Sequence, residues 1–188
     1  LVQGLQDSVH ELVQVPGVFP AAVSALIVNW RSTDWLLPCL EALLSVPEPL
    51  ARVVVIDNAS GDESVGRIRH WAREHGVGIA AGGGELGGEA WLVLLEASEN
   101  RGYAAGNNIG LSWLAARADF SHVWLLNPDT QVRPSALDRM LARMAKDAHI
   151  GTCGGTLVDM EEPRRVQCYG GGRFHYWTAR PPGYKRWR

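Results

Sequence analysis

The sequence predicts a doubly wound α/β fold, and three observations carry that prediction. Four short apolar runs, 22–28, 52–57, 91–97 and 122–127, read as strands. Their apolar character is nearly continuous, as in parallel strands buried on both faces. Between them lie segments with helical spacing of apolar residues, so strand and helix alternate along the chain.

The elements follow in order. "AVSALIV" opens the alternation, and "RVVVID" supplies a valine-rich second strand. Between them, 34–45 places Leu36, Leu37, Leu40, Leu43 and Leu44 on one side of a helix. Ser60 and Glu63 have the spacing of a capping box, which predicts a helix from there to Gly76. The glycine-rich stretch 76–90 reads as a loop. "WLVLLEA" is the third strand. Residues 104–117 form the next helix, with Ile109, Leu111, Trp113 and Leu114 as apolar members. "HVWLLN" is the fourth strand. Pro134 suits the first turn of a last helix containing Leu137, Met140, Leu141 and Met144.

Three segments divide the chain. Residues 1–20 carry Leu5, Val9, Leu12 and Val13 on one helical face and read as an N-terminal helical extension ended by Pro16-Gly17. Residues 22–160 form the main domain. Residues 161–188 are a partial acceptor-side segment or tail. Within that tail, 173–188 has five Lys/Arg, no acid and several aromatics. One reading is an interfacial patch on an anionic membrane; the other is a stretch that has lost its packing partners.

Composition bounds the function. With 46% apolar and 20% charged residues, the chain is an ordinary globular one. A net charge of -2 gives no general attraction to nucleic acid, and no such partner is expected. No apolar run reaches the roughly 18 residues of a membrane span. Three cysteines without a C-x-x-C pair argue against a disulfide framework or zinc site and for a reducing, cytoplasmic compartment. The start at Leu1, with no basic leader and no Met, suggests a cut chain without a signal peptide. The histidines show no metal-binding spacing. The G-x-G-x-x-G at 82–87 precedes a strand instead of opening a helix, which disqualifies it as a dinucleotide fingerprint.

Ligands of open α/β sheets sit at the carboxyl ends of the strands. Those ends carry Asn29-Trp30-Arg31, Asp57-Asn58-Ala59-Ser60, Asn100-Arg101-Gly102 and Asn127-Pro128-Asp129. Two carboxylates, an arginine and several amides at one crevice suit a polar, anionic ligand with a cation beside Asp129. A nucleotide diphosphate meets that description. Mg²⁺ or Mn²⁺ binds through one or two carboxylates plus phosphate oxygens. Asp57 can accept from a pyrimidine ring N–H, or cap the next helix. Arg101 can pair with phosphate, or be a surface residue. Asn107 reads equally as a crevice residue or a support for its helix start. Trp30 can stack on a base or pack into the core. "NPDT" taken alone is ordinary turn chemistry.

In order and spacing, "VSALIVNWRS", "VVVIDNASGDES", "ENRGYAAGNNIG" and "VWLLNPDT" resemble glycosyltransferase family 2, over roughly 23–160. The bacterial rhamnosyltransferase-like members, which build cell-surface polysaccharide, are the most similar. The resemblance implies a glycosyltransferase A fold. It implies inverting transfer from a nucleotide-diphosphate sugar, dTDP- or UDP-linked, to a hydroxyl of a glycan or lipid-linked acceptor. Asp57 matches the aspartate that contacts the base. Asp129 matches the metal ligand, with Asn127 where many members have Asp. Asn29, Trp30, Asp57, Asn58, Arg101, Asn107 and Asn127 are then the candidate donor contacts, and Mg²⁺ or Mn²⁺ the cofactor. The family's catalytic base belongs to a later acidic motif. After Asp129 come only Asp138, Asp147, Asp159, Glu161 and Glu162, none in that context. The fold is therefore expected to be incomplete at its C-terminus. A donor-binding fragment that needs a partner or a further half is the alternative to an active enzyme.

Overall fold

A computed structural model of the chain describes residues 22–47, 50–81 and 90–169. The predicted extension 1–20, the glycine motif at 82–87 and the tail 173–188 lie outside them. Eleven elements are described: strands β1 (Val23–Asn29), β2 (Arg52–Asp57), β3 (Ile79–Ala81), β4 (Leu92–Glu96), β5 (His122–Leu126), β6 (Thr156–Val158) and β7 (Val166–Tyr169), and helices α1 (Thr33–Leu44), α2 (Ser64–Glu74), α3 (Tyr103–Ala115) and α4 (Ala136–Met144). The chain divides after Val132 into two compact units.

The first unit holds a five-stranded sheet in the order β3-β4-β2-β1-β5, parallel throughout. The chain winds outward from β1 to β2, then returns through α3 to lay β5 on the other side of β1. The topological switch point, the place beyond the strand ends where open α/β sheets bind ligands, therefore falls between β1 and β5. β1 is buried along its whole length, and β2 over all but its first residue. That explains their unbroken apolar text.

Alternation sorts the strand side chains into two layers. Leu26, Val28, Val54, Ile56, Val93 and Leu95 form one core cluster with Leu114 of α3. The other layer, including Ala25, Ile27, Val53 and Val55, is equally buried. There α1 contributes Leu36, Cys39, Leu40 and Leu43, and α2 contributes Ile68, Trp71 and Ala72. Glycine brings α3 close to the sheet. A Cβ on Gly106 would meet Val28 Cγ1 at 2.7 Å, and one on Gly110 would run into Leu26 and Ile56.

Four expectations need correction. The segment 76–90 is not loop throughout, because β3 pairs with β4 as an edge strand. The capping box does not form: α2 starts at Ser64, with Asp62 accepting from the Ser64 N–H, because the Ser60 hydroxyl is engaged elsewhere. On α3 the buried face is Gly106, Asn107, Gly110 and Leu114, while Ile109 is exposed. The small residues set the approach, so the packing face lacks the bulk that marks it in a sequence. Finally, α4 opens at Ala136, two residues beyond Pro134.

The second unit contains α4 and the antiparallel β6-β7 pair. The pair flanks the acidic turn 159–165. No helix among the described residues is long and apolar enough to cross a membrane.

Candidate functional site

The strand exits at the carboxyl edge share a backbone device. Arg31 after β1, Ala59 after β2 and Gly102 after β4 all have positive φ, at 52°, 55° and 86°. For residues with a Cβ this conformation costs roughly 1–2 kcal/mol. Such strain concentrates where the chain must aim specific groups.

At the first two exits the groups form one buried network. Asp57 Oδ1 accepts from Asn29 Nδ2 at 3.1 Å and from the Ser60 hydroxyl at 2.6 Å, and Oδ2 accepts from the Ser60 N–H at 3.1 Å. The Ser60 hydroxyl accepts from the Arg31 N–H at 3.1 Å, and the Ser60 carbonyl from Arg31 Nε at 2.9 Å. Asn29, Asp57 and Ser60 are all buried. An ionised carboxylate offers about four acceptor positions. Three are filled internally, which leaves Oδ2 able to take one further donor.

A second network lies on the α3 side of the sheet. Asn58 Nδ2 donates to Asn100 Oδ1 at 2.9 Å, and that oxygen also accepts from the Gly102 N–H at 2.8 Å. Asn107 Nδ2 donates to the Tyr103 carbonyl at 2.9 Å, within its own helix. Among the described residues, Asn29 Oδ1, Asn58 Oδ1 and Asn107 Oδ1 are buried without partners. Unpaired buried acceptors carry a desolvation penalty of about 1–3 kcal/mol each. All three lie near the carboxyl edge.

Asn127 and Asp129 follow β5 and are exposed. The Asn127 carbonyl accepts from the Thr130 N–H at 3.1 Å and from the Cys39 thiol at 3.9 Å. Burial first, and the negative charge of Asp129 second, push the Cys39 thiol up to about 12. Asp129 makes no hydrogen bond or ion pair among the described residues. Its carboxylate is thus unclaimed at a strand tip beside the switch point. An oxygen donor of that kind suits Mg²⁺ or Mn²⁺. The described residues contain no cluster of three metal-ligating side chains, so a cation there needs oxygens from a ligand.

The expected residues are not gathered equally. Asn29, Asp57 and Asn58 are buried together at the β1 and β2 exits. Trp30 is half exposed, outside the core, with the Arg31 guanidinium 5.5 Å from its ring centroid. Arg101 is exposed, and its guanidinium meets Glu99 at 2.5 and 2.6 Å. Such exposed pairs are worth about 1 kcal/mol or less, so an anion can compete for it. Sequence reasoning assigned no ligand-side role to Ser60, Arg31 or Asn100. The run of four motif residues from Asp57 to Ser60 was the available signal.

Comparison with known proteins gives three findings. Residues 24–180 match the family model for Glycosyl transferase family 2. The low-salt glycan biosynthesis hexosyltransferase Agl10 of Haloferax volcanii is 27% identical over 110 residues, which are 58% of this chain and 28% of Agl10. The mannosyltransferase PcManGT of Pyrobaculum calidifontis, solved in complex with GDP-Man and Mn²⁺, is similar with a TM-score of 0.51 at 22% identity, over 81% of this chain and 41% of that one. The chain therefore spans less than half the length of either protein. The likeness to PcManGT shows a shared glycosyltransferase A fold.

Proposed function

Because the chain belongs to glycosyl transferase family 2, we propose that it forms the donor-binding part of an inverting, metal-dependent glycosyltransferase. The sugar comes from a nucleotide-diphosphate donor, dTDP-rhamnose or a UDP-sugar, and goes to a hydroxyl of a cell-surface glycan or lipid-linked acceptor. The observation that carries this reading is the pairing of two carboxylates with opposite environments at one sheet edge. Asp57 is buried and nearly saturated, with one acceptor position left for a base N–H. Asp129 is exposed and unclaimed, and its carboxylate would hold the cation.

The elements around the crevice suit an anion. The N-termini of α1 and α2 meet there through the Thr33 and Ser64 hydroxyls, 2.7 Å apart, and α3 begins at the β4 exit. Helix N-termini carry partial positive charge and free N–H groups. Arg31 and Arg101 add formal charge. Trp30 offers a flat surface to a base. A divalent cation held by Asp129 would supply Lewis acidity for the departure of the diphosphate. The names of the similar proteins, a hexosyltransferase and a mannosyltransferase bound to GDP-Man and Mn²⁺, support the class of reaction. We place the reaction in the cytoplasm, at the inner membrane face when the acceptor is lipid-linked.

A second reading, a binding module that needs further chain for catalysis, is favoured by the later acids. Backbone N–H groups of Glu162 and Glu161 hold the Asp159 carboxyl below its ordinary range, which weakens it as a base. Asp147 is tied to the N–H of His149. Incubation with a panel of nucleotide sugars, with and without simple acceptors, separates the two. Release of nucleoside diphosphate that depends on acceptor supports transferase activity. Metal-dependent nucleotide binding without release supports the binding module. Neither binding nor release refutes both.

A further inference from the structure

We propose that Ser60 sets which nucleobase the site accepts, by fixing the Asp57 carboxylate without touching the nucleotide itself. The inference rests on the reading of Asp57 as the base contact.

Ser60 supplies two of the three donors that Asp57 receives. Its hydroxyl gives the short bond to Oδ1, 2.6 Å, and its backbone N–H gives the bond to Oδ2, 3.1 Å. Bonds to an ionised oxygen are the strong ones. Ser60 is itself immobilised. It is 1% exposed, and Arg31 grips it twice, through N–H to hydroxyl and Nε to carbonyl. Ala59 and Gly61, both at positive φ, turn the intervening N–H back toward Asp57. Asn29 holds Oδ1 from the neighbouring strand.

The chemical consequence is selective. With Oδ1 doubly engaged and Oδ2 singly engaged, the carboxylate is held in place, and one acceptor position on Oδ2 is left for a ligand. An ionised carboxylate only accepts. It therefore takes a ring that presents N–H, as uracil and thymine do at N3 and guanine at N1. Cytosine and adenine present a lone pair at the matching ring nitrogen and leave two acceptors facing each other. Sites that hydrogen-bond a ligand group discriminate strongly against analogues lacking it. Without the Ser60 hydroxyl, Asp57 keeps Asn29 on Oδ1 and the backbone N–H on Oδ2 but loses its shortest bond, so the carboxylate is held less tightly and the discrimination falls. Ser60 is thus a positioning residue for base specificity.

The test measures the affinity of the full chain for UDP, GDP, CDP and ADP in Mn²⁺, with folding checked by thermal melting. Wild type is expected to prefer UDP or GDP over CDP and ADP. Ser60→Ala is expected to lower that preference about tenfold, the scale of one hydrogen bond to a charged group. Ser60→Thr, which keeps the hydroxyl, restores it. Equal weakening of all four nucleotides by Ser60→Ala, with the preference intact, would overturn the proposal. Should Ser60→Ala not fold, Ser60→Cys provides a weaker donor in the same place, and a preference unchanged from wild type has the same meaning. The base-contact reading fails separately if Asp57→Asn leaves the preference untouched, or if wild type shows none.

Discussion

Cys39 shows how one residue's surroundings decide its chemistry. Its thiol is buried and faces the carbonyl of Asn127 with a carboxylate close by, and its proton is correspondingly hard to remove. Under native conditions at pH 8, Ellman's reagent should titrate Cys153 and Cys168, which are half-buried, and reach Cys39 only after denaturation. Three thiols reacting quickly in folded protein would contradict this placement. The pH dependence has a definite sign. In the unfolded chain the thiol ionises near 9, and in the folded chain near 12. Its contribution to stability is complete below about 9 and is lost as pH rises through that window. Chemical denaturation between pH 8 and 11 should show a downward slope that Cys39→Ala reduces. The strand-end positions of the candidate residues were legible at this scale, because Asn29, Asp57, Asn58 and Asp129 stand at the ends of apolar runs. Ser60 was misread because the capping template is local. It does not register that a carboxylate three residues earlier, at the end of a buried strand, competes for the same hydroxyl.

At the scale of elements, the contact of α3 with the sheet depends on absent side chains. Gly110→Ala places a methyl against Leu26 and Ile56 and should destabilise by about 1–3 kcal/mol. Gly66 on α2 has nothing within 4 Å of the same position, and Gly66→Ala should stabilise by roughly 0.5–1 kcal/mol through helix propensity. Urea unfolding of the two variants checks both signs, and equal shifts would contradict the packing described. The principal strands were readable because burial on both faces leaves no polar alternation to confuse. The edge strand β3 was not, because three residues beside a glycine run carry too little pattern. The glycine side of α3 was not legible for a related reason: hydrophobic periodicity detects bulk, and this interface is made by its lack.

Over the whole molecule, the sheet order gives the separate motifs a common purpose. Placing β5 beside β1 brings the exit at Asn29 and the exit at Asp129 to the same switch point, although about 100 residues separate them in sequence. Motif order alone implied that convergence, and the parallel register supplies it. The sequence carries no comparable signal for a catalytic base, and of the later acids in the second unit Asp147 and Asp159 accept from backbone N–H groups of their own turns. We propose that Asp129 anchors a donor diphosphate through a divalent cation. Calorimetric titration of UDP, dTDP and GDP, with and without Mn²⁺, on wild type and Asp129→Ala tests it most directly. The expected result is that Mn²⁺ tightens wild-type binding of at least one nucleotide about tenfold or more, while the folded Asp129→Ala protein gains nothing from the metal. Equal binding with and without Mn²⁺, or a metal effect that survives Asp129→Ala, would contradict it.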